Sequence, residues 1–237
     1  MLIGVGQTPE ILGDVDAAVD MILGFVHQAD VDLLVLPECF LQGYLVTADH
    51  VREQALEIGS PEFGAVLRRL SQVRPMLVVG MIERSGGAFH NTAVVIAGGE
   101  VLGRYRKNRL TAGESPVFAP GDDYPVFDCK GVRFGINICY DAQFPEPAAR
   151  IAAAGATLLV HPSQNMMPAD RAVHWQHQHN KIRARRVRET GLWLAAADIT
   201  GTRDGRLALG PTCVLNPDGE VVAQVPTGTT GMATFRL

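Results

Sequence analysis

Val132-Arg133-Phe134-Gly135-Ile136-Asn137-Ile138-Cys139-Tyr140-Asp141-Ala142-Gln143-Phe144-Pro145-Glu146 runs from a strand-like segment directly into a helix-opening segment. Cys139 stands at the junction. A strand-to-helix turn of this kind is where nucleophiles are commonly displayed, and the partial positive charge of the following helix N-terminus favours a thiolate. Cys39, Cys129 and Cys213 have no such setting and are expected to pack as small hydrophobes.

Two further segments end in reactive groups. Leu33-Leu34-Val35-Leu36-Pro37-Glu38 closes an apolar strand on a carboxylate, and Arg104-Tyr105-Arg106-Lys107 closes another on an ammonium. Loops at one edge of a parallel or mixed sheet converge on a single crevice. Brought together there, thiol, carboxylate and ammonium supply a nucleophile, a proton carrier and an oxyanion partner. Apolar neighbours on both sides of Glu38 imply burial, which leaves it either ionised against a partner such as Lys107 or raised in pKa.

Periodicity supplies the frame. Val15, Ala18, Val19, Ile22, Phe25 and Val26 recur at helical spacing between Asp14, a plausible N-cap, and Ala29. Ser60-Pro61-Glu62 opens a second helix that ends before Pro75. Strands are expected at 76–82, 91–97 and 101–105, with Gly98-Gly99 as a hairpin turn between the last two. Beyond Cys139 the pattern predicts a helix over 144–154, a strand over 157–160, a long helix over 169–190, a strand over 192–197, a hairpin over 212–225 and a last strand near 232–235. Residues 1–237 read as one domain, of mixed α/β class.

At 237 residues, 47% hydrophobic and 19% charged, the chain has the composition of an ordinary globular protein. The net charge of −4 argues against a nucleic-acid partner. No apolar run reaches the ~20 residues of a membrane-spanning helix. The N-terminal Met1-Leu2-Ile3-Gly4-Val5-Gly6 lacks the sections of a signal peptide, and the cysteines lack Cys-x-x-Cys spacing. A soluble, cytoplasmic protein without a disulfide framework is expected.

The motifs together resemble the nitrilase-like carbon-nitrogen hydrolases over nearly the whole chain. Leu36-Pro37-Glu38 matches the family's glutamate motif and Tyr105-Arg106-Lys107 its lysine motif. Gly135 to Asp141 with Phe144-Pro145-Glu146 matches its cysteine motif. Glu114-Ser115 with Pro120-Gly121-Asp122 resembles the segment that carries a second catalytic glutamate. The resemblance implies a four-layer αββα sandwich of two mixed sheets with flanking helices. It also implies catalytic Glu38, Lys107, Cys139 and Glu114, and substrate contacts from Tyr140, Gln143, Phe144 and His174. Amide hydrolysis through a cysteine thioester is the implied reaction, with a small-molecule amide as partner, no cofactor, and assembly as a homodimer or larger homo-oligomer.

Other arrangements fit parts of this pattern. His174, His177 and His179 invite a metal site, but only His174 and His177 would share a helix face and no His-Glu-x-x-His pattern exists. A Cys-His pair using His161 or His174 leaves Glu38 and Lys107 without a role. Arg183, Arg185, Arg186 and Arg188, with Glu189, are expected on a helix surface that also binds acids within the chain or in a partner subunit, with Arg186 and Glu189 resembling a structural pair of the family. The alternative within the same class is an N-carbamoyl-amine or ω-amidase-type hydrolase, which Gln143 weakens but does not exclude, because branches that bind carboxylate-bearing substrates often have arginine around there. Cys139-Tyr140-Asp141 in place of Cys-Trp-Glu points away from nitriles. A non-catalytic binding subunit of the same fold is the alternative from another class.

Overall fold

Leu33, Leu34, Val35 and Leu36 are all fully buried, and their alternation sets the layers. Successive strand residues point to opposite faces, so Leu33 and Val35 enter one apolar cluster and Leu34 and Leu36 another. A strand buried on both faces must lie between two layers.

The computed structural model describes residues 1–237. In chain order, β1 (Leu2–Pro9), α1 (Val15–Gln28) and β2 (Leu33–Val35) are followed by α2 (Ala48–Gln54) and α3 (Pro61–Leu70). β3 (Met76–Ser85), β4 (Ala88–Ala97) and β5 (Glu100–Arg106) form a meander, and β6 (Val126–Cys129) pairs with β7 (Val132–Ile136). A 3-10 turn over Cys139–Gln143 leads to α4 (Pro145–Ala153), β8 (Leu158–Pro162), the short β9 (Met167–Pro168) and α5 (Ala169–Thr190). β10 (Trp193–Arg203), β11 (Arg206–Leu209), β12 (Cys213–Leu215), β13 (Val221–Gln224) and β14 (Gly231–Arg236) complete the chain.

β10 joins two sheets. Its first half, Trp193 to Ala197, runs parallel to β8 in the second sheet, and Asp198 to Thr200 run parallel to β1 in the first. The first sheet carries the order β5-β4-β3-β2-β1, and the second continues from β10 as β8-β7-β6. Between them lies one cluster in which Val5, Leu33, Val35, Val78 and Val95 of the first sheet meet Phe134, Ile136, Leu158, Val160 and Ala195 of the second. The outer face of the first sheet is covered by α1 and α3 through Val19, Ile22, Phe25, Phe63 and Leu70. That of the second is covered by α4 and α5 through Ala148, Ile151, Ala184 and Val187. The result is an αββα sandwich. Each fully buried Leu, Ile or Val contributes about 1.5–3 kcal/mol through burial, and Phe134→Ala in the central layer would cost about 3–5 kcal/mol.

Most element ends follow local chemistry. Asp14 caps α1 by accepting from the Ala17 N–H at 2.9 Å, and Ser60 caps α3 by accepting from Phe63. Gly98 and Gly99 both take positive φ, as a type I′ hairpin turn requires. α2, β6 and β11 are elements that spacing and turn residues do not predict. The arginine group differs from its expected surface placement: Arg183 and Arg186 are buried, whereas Arg185 pairs with Glu189 on the exposed side. Arg186 also pairs with Glu189, at 3.1 Å. No helix is long and apolar enough to cross a membrane.

Candidate active site

The ends of β2, β5 and β7 meet at one edge of the sandwich. Beyond β2 the chain crosses directly over β3, and Gly80 makes the crossing possible. A Cβ there would stand 2.2 Å from the Pro37 carbonyl oxygen and 2.5 Å from the Cys39 nitrogen. The crossing is fixed further by Leu41 N–H to Gly80 O at 3.0 Å and by Glu38 N–H to Ser163 O at 3.3 Å. Glu38 is thereby held inside the molecule, 1% exposed.

Alternation then sorts the basic run at the end of β5. Arg106 turns to Glu83, 2.7 Å away, while Tyr105 and Lys107 turn inward. The buried Lys107 ammonium donates to Glu38 Oε1 at 2.6 Å and to Glu114 Oε1 at 2.7 Å. Asn91 Nδ2 donates to the same two oxygens, at 2.7 and 3.0 Å. Glu114 Oε2 accepts from the Thr111 N–H. Glu38 Oε2 has no protein partner and is buried.

The two carboxylates are thus driven apart. Burial raises Glu38 to about 7, with the neighbouring Glu114 charge adding to the rise against the pull of Lys107. Burial also raises Glu114, but Lys107, the Thr111 N–H and Asn91 outweigh it and the net shift is downward. Lys107 is pushed down by burial and up by its acidic neighbours, with a net rise well above its ordinary value. A pair of acids separated in this way gives one permanent anion and one exchangeable proton carrier.

Cys139 opens the 3-10 turn with φ of +44°, a left-handed conformation for a residue with a side chain. Such a residue costs of order 1–3 kcal/mol and persists only when its surroundings hold it. Asp141 does the holding. Its buried carboxylate accepts from the Ile138 N–H, the Tyr105 hydroxyl and the Arg109 N–H, each at 2.8 Å. Tyr105 and Arg109 flank Lys107, so one carboxylate ties the cysteine turn to the lysine segment.

The thiol departs from the expectation of a stabilised thiolate. Burial raises its pKa well above the ordinary value, the Glu38 carboxylate raises it further, and Lys107 and the Gln164 backbone offset only part. The helix that follows starts at Pro145, beyond the 3-10 turn, and its terminal dipole fades within a turn. At rest the sulfur keeps its proton.

Cys139 lines a cavity of about 360 Å3. Tyr140 and Gln143 line it too. His174 and Phe144 do not. The cavity face of α5 is formed by Arg171, Trp175, His179 and Ile182, the helical repeat that leaves the exposed His174 to one side. Phe144 is occupied elsewhere, edge-on to the Tyr140 ring at 5.4 Å and beneath the Arg109 guanidinium at 5.3 Å. Arg109 also pairs with Glu146. Glu38, Lys107 and Glu114 lie behind the wall rather than on it, and Glu38 borders a separate crevice of about 10 Å3.

The histidines take other parts. His161 is buried on the cavity wall, with Nδ1 against the Asn137 carbonyl and side-chain oxygens at 3.1 and 2.9 Å. Burial and then Arg183 hold it well below its ordinary pKa, hence neutral. The thiol hydrogen-bonds to Asn165, not to His161 or His174. No group of three His, Cys, Asp or Glu side chains is placed to share a metal ion. Asn91, Asp141 and Asn165, with Arg171 and Ile182 on the cavity wall, are among the site residues that sequence reasoning missed; Asp141 lies inside the cysteine motif, where its position was the available signal.

A carbon-nitrogen hydrolase family model matches residues 2–237, and the chain belongs to that family. It is 31% identical over 198 residues to an (R)-stereoselective amidase of a Pseudomonas species, covering 81% of this chain and 68% of the relative. It is 32% identical over 213 residues to the human omega-amidase NIT2, covering 82% and 72%. Among solved structures, a variant of the amidase from Nesterenkonia sp. AN1, with acrylamide added at its active-site cysteine, matches with TM-score 0.81 and 25% identity over 100% of this chain and 93% of that one.

Proposed function

We propose that this protein hydrolyses a linear carboxamide to a carboxylate and ammonia, with Cys139 as nucleophile. The observation that carries this is the Cys139 thiol on the wall of a substrate-sized cavity, with a buried Glu38, raised to about 7, whose charge bears on the thiol. Kinship with amidases, one of them modified at its cysteine, supports the same reaction.

Glu38 takes the thiol proton as Sγ bonds to the carbonyl carbon. The carbonyl oxygen becomes an oxyanion held by Lys107 and the Tyr140 N–H. Glu38 next gives the proton to the departing nitrogen, the carbon-nitrogen bond breaks, and ammonia leaves a thioester on Cys139. Water, deprotonated by the same carboxylate, adds to the thioester carbonyl. Cys139 leaves with the proton and the carboxylic acid departs. Glu114 stays ionised and keeps Lys107 charged.

A second reading concerns the substrate. No acidic residue lines the cavity, and Arg171 stands at its rim. That cation favours an amide with a carboxylate at its far end, the chemistry named for the human relative, and takes the place of the arginine that Gln143 lacks. A screen of ammonia release over neutral amides, dicarboxylic monoamides, carbamoyl compounds and nitriles, with Cys139→Ala as control, tests both readings. Turnover of amides by the native protein and none by Cys139→Ala is expected. Activity that survives the substitution contradicts the nucleophile. No turnover of any class, with no adduct on Cys139 by intact mass, supports the non-catalytic subunit instead. Homodimer formation belongs to the same proposal and is read by light scattering.

A further inference from the structure

Asn165 follows β8, with Oδ1 3.9 Å from the Cys139 Sγ. Which end of its amide faces the sulfur is settled by Asp198. The buried Asp198 carboxylate accepts from the Asn165 N–H at 3.1 Å, the Ile199 N–H at 2.9 Å, the Arg183 guanidinium at 3.2 Å and, in a short contact, Asn165 Nδ2. A carboxylate holding so many donors accepts only. Nδ2 is committed to it, and Oδ1 is turned to the thiol. Arg183, itself buried, is fixed by the Pro211 carbonyl at 2.6 Å and the Ser163 hydroxyl at 3.1 Å, so the arrangement is anchored in the second sheet.

Resting on the amidase reading, we propose that Asn165 is a specificity-determining residue whose Oδ1 accepts a hydrogen bond from the leaving nitrogen of the substrate, with Asp198 and Arg183 as its positioning residues. The scissile nitrogen lies two bonds from Sγ in the tetrahedral intermediate, within reach of an acceptor placed as Oδ1 is. Lys107 and the Tyr140 N–H hold the oxygen on that carbon. Glu38 serves one direction of the nitrogen, and Asn165 receives another N–H. The bond strengthens as the nitrogen takes the proton from Glu38, because a charged donor bonds more strongly than a neutral one. An ester of the same acid places no N–H there.

The test compares kcat/KM for a primary amide and for the ester of the same acyl group in the native protein, in Asn165→Ala and in Asp198→Asn. The expected result is that the amide-to-ester ratio falls roughly tenfold to a hundredfold in Asn165→Ala, the range for one unpaired polar group. It should fall less in Asp198→Asn, where the amide of residue 165 is free to flip. A parallel loss for both substrates in Asn165→Ala, or no loss for either, overturns the inference while leaving the amidase reading in place. Should Asp198→Asn fail to fold, Asn165→Ala decides alone. Absence of amide turnover by the native protein overturns the amidase reading and this inference with it.

Discussion

The two sheets meet at the site with opposite kinds of chemistry. The first, through the ends of β2 and β5 and from within β4, brings Glu38, Lys107 and Asn91, all about 1% exposed and bonded mainly to one another. The second, through the ends of β7 and β8, brings Cys139, His161 and Asn165, which line the cavity. Charge therefore sits buried from solvent, and the reacting sulfur on the cavity wall. Removing water makes each hydrogen bond electrostatically stronger and each unpaired group more costly, which is why the lysine has two acidic partners and why the proton of Glu38 is held to near neutral pH.

The sharpest way to break this division is Cys139→Ala, which removes the second sheet's nucleophile and leaves the buried charges intact. Amide turnover should fall to background, on the order of a millionfold for loss of a nucleophile, while the folded structure persists by circular dichroism. Glu38→Gln removes the first sheet's proton carrier. A loss of roughly a hundredfold to ten-thousandfold in kcat is expected. Because Glu38 must be ionised to act as a base, native kcat/KM should rise as pH rises through about 7, and that limb should vanish from the residual activity of the variant.

Gly80→Ala tests whether backbone placement in the first sheet is as demanding as its charges. The added Cβ has no room beneath the Pro37 carbonyl oxygen. Displacing Glu38 by about an ångström should lower kcat around a hundredfold, with destabilisation of about 1–3 kcal/mol from overpacking. The smallest effect is thermodynamic. The folded-state value of Glu38 is raised from 4.5 to about 7, so its contribution to stability is full below pH 4.5 and is lost as pH rises through 7. Native Tm should decline over that window relative to Glu38→Gln, measured by calorimetry; parallel curves would show that Glu38 does not hold its proton more tightly in the fold.

Legibility in the sequence followed the range of the interactions. α1, α3, α5 and the β4-β5 hairpin were readable because caps, turn glycines and apolar spacing act within a few residues. α2 escaped because Val51 is its one buried residue and gives no stripe. β6 and β11 are short strands whose partners, not their composition, make them strands. The acid, the amine and the thiol were visible as strand-end residues, and the family resemblance joined them. Asn91, Asp141 and Asn165 were not visible in their roles, because each acts on residues distant in the chain: Asn91 on Glu38 at a separation of 53, Asp141 on Tyr105 at 36, and Asn165 on Asp198 at 33. Arg183 and Arg186 were expected to bind acids of the chain, as they do at Asp198 and Glu189, but on the surface, whereas both are buried.

The most direct trial is acid quench of the native protein during turnover of an amide, followed by intact mass and peptide mapping. The account predicts a population heavier by the substrate less ammonia, with the added acyl group on the peptide containing Cys139. An acyl group mapped to any other residue, or steady turnover by a protein whose Cys139 has been blocked, would contradict it.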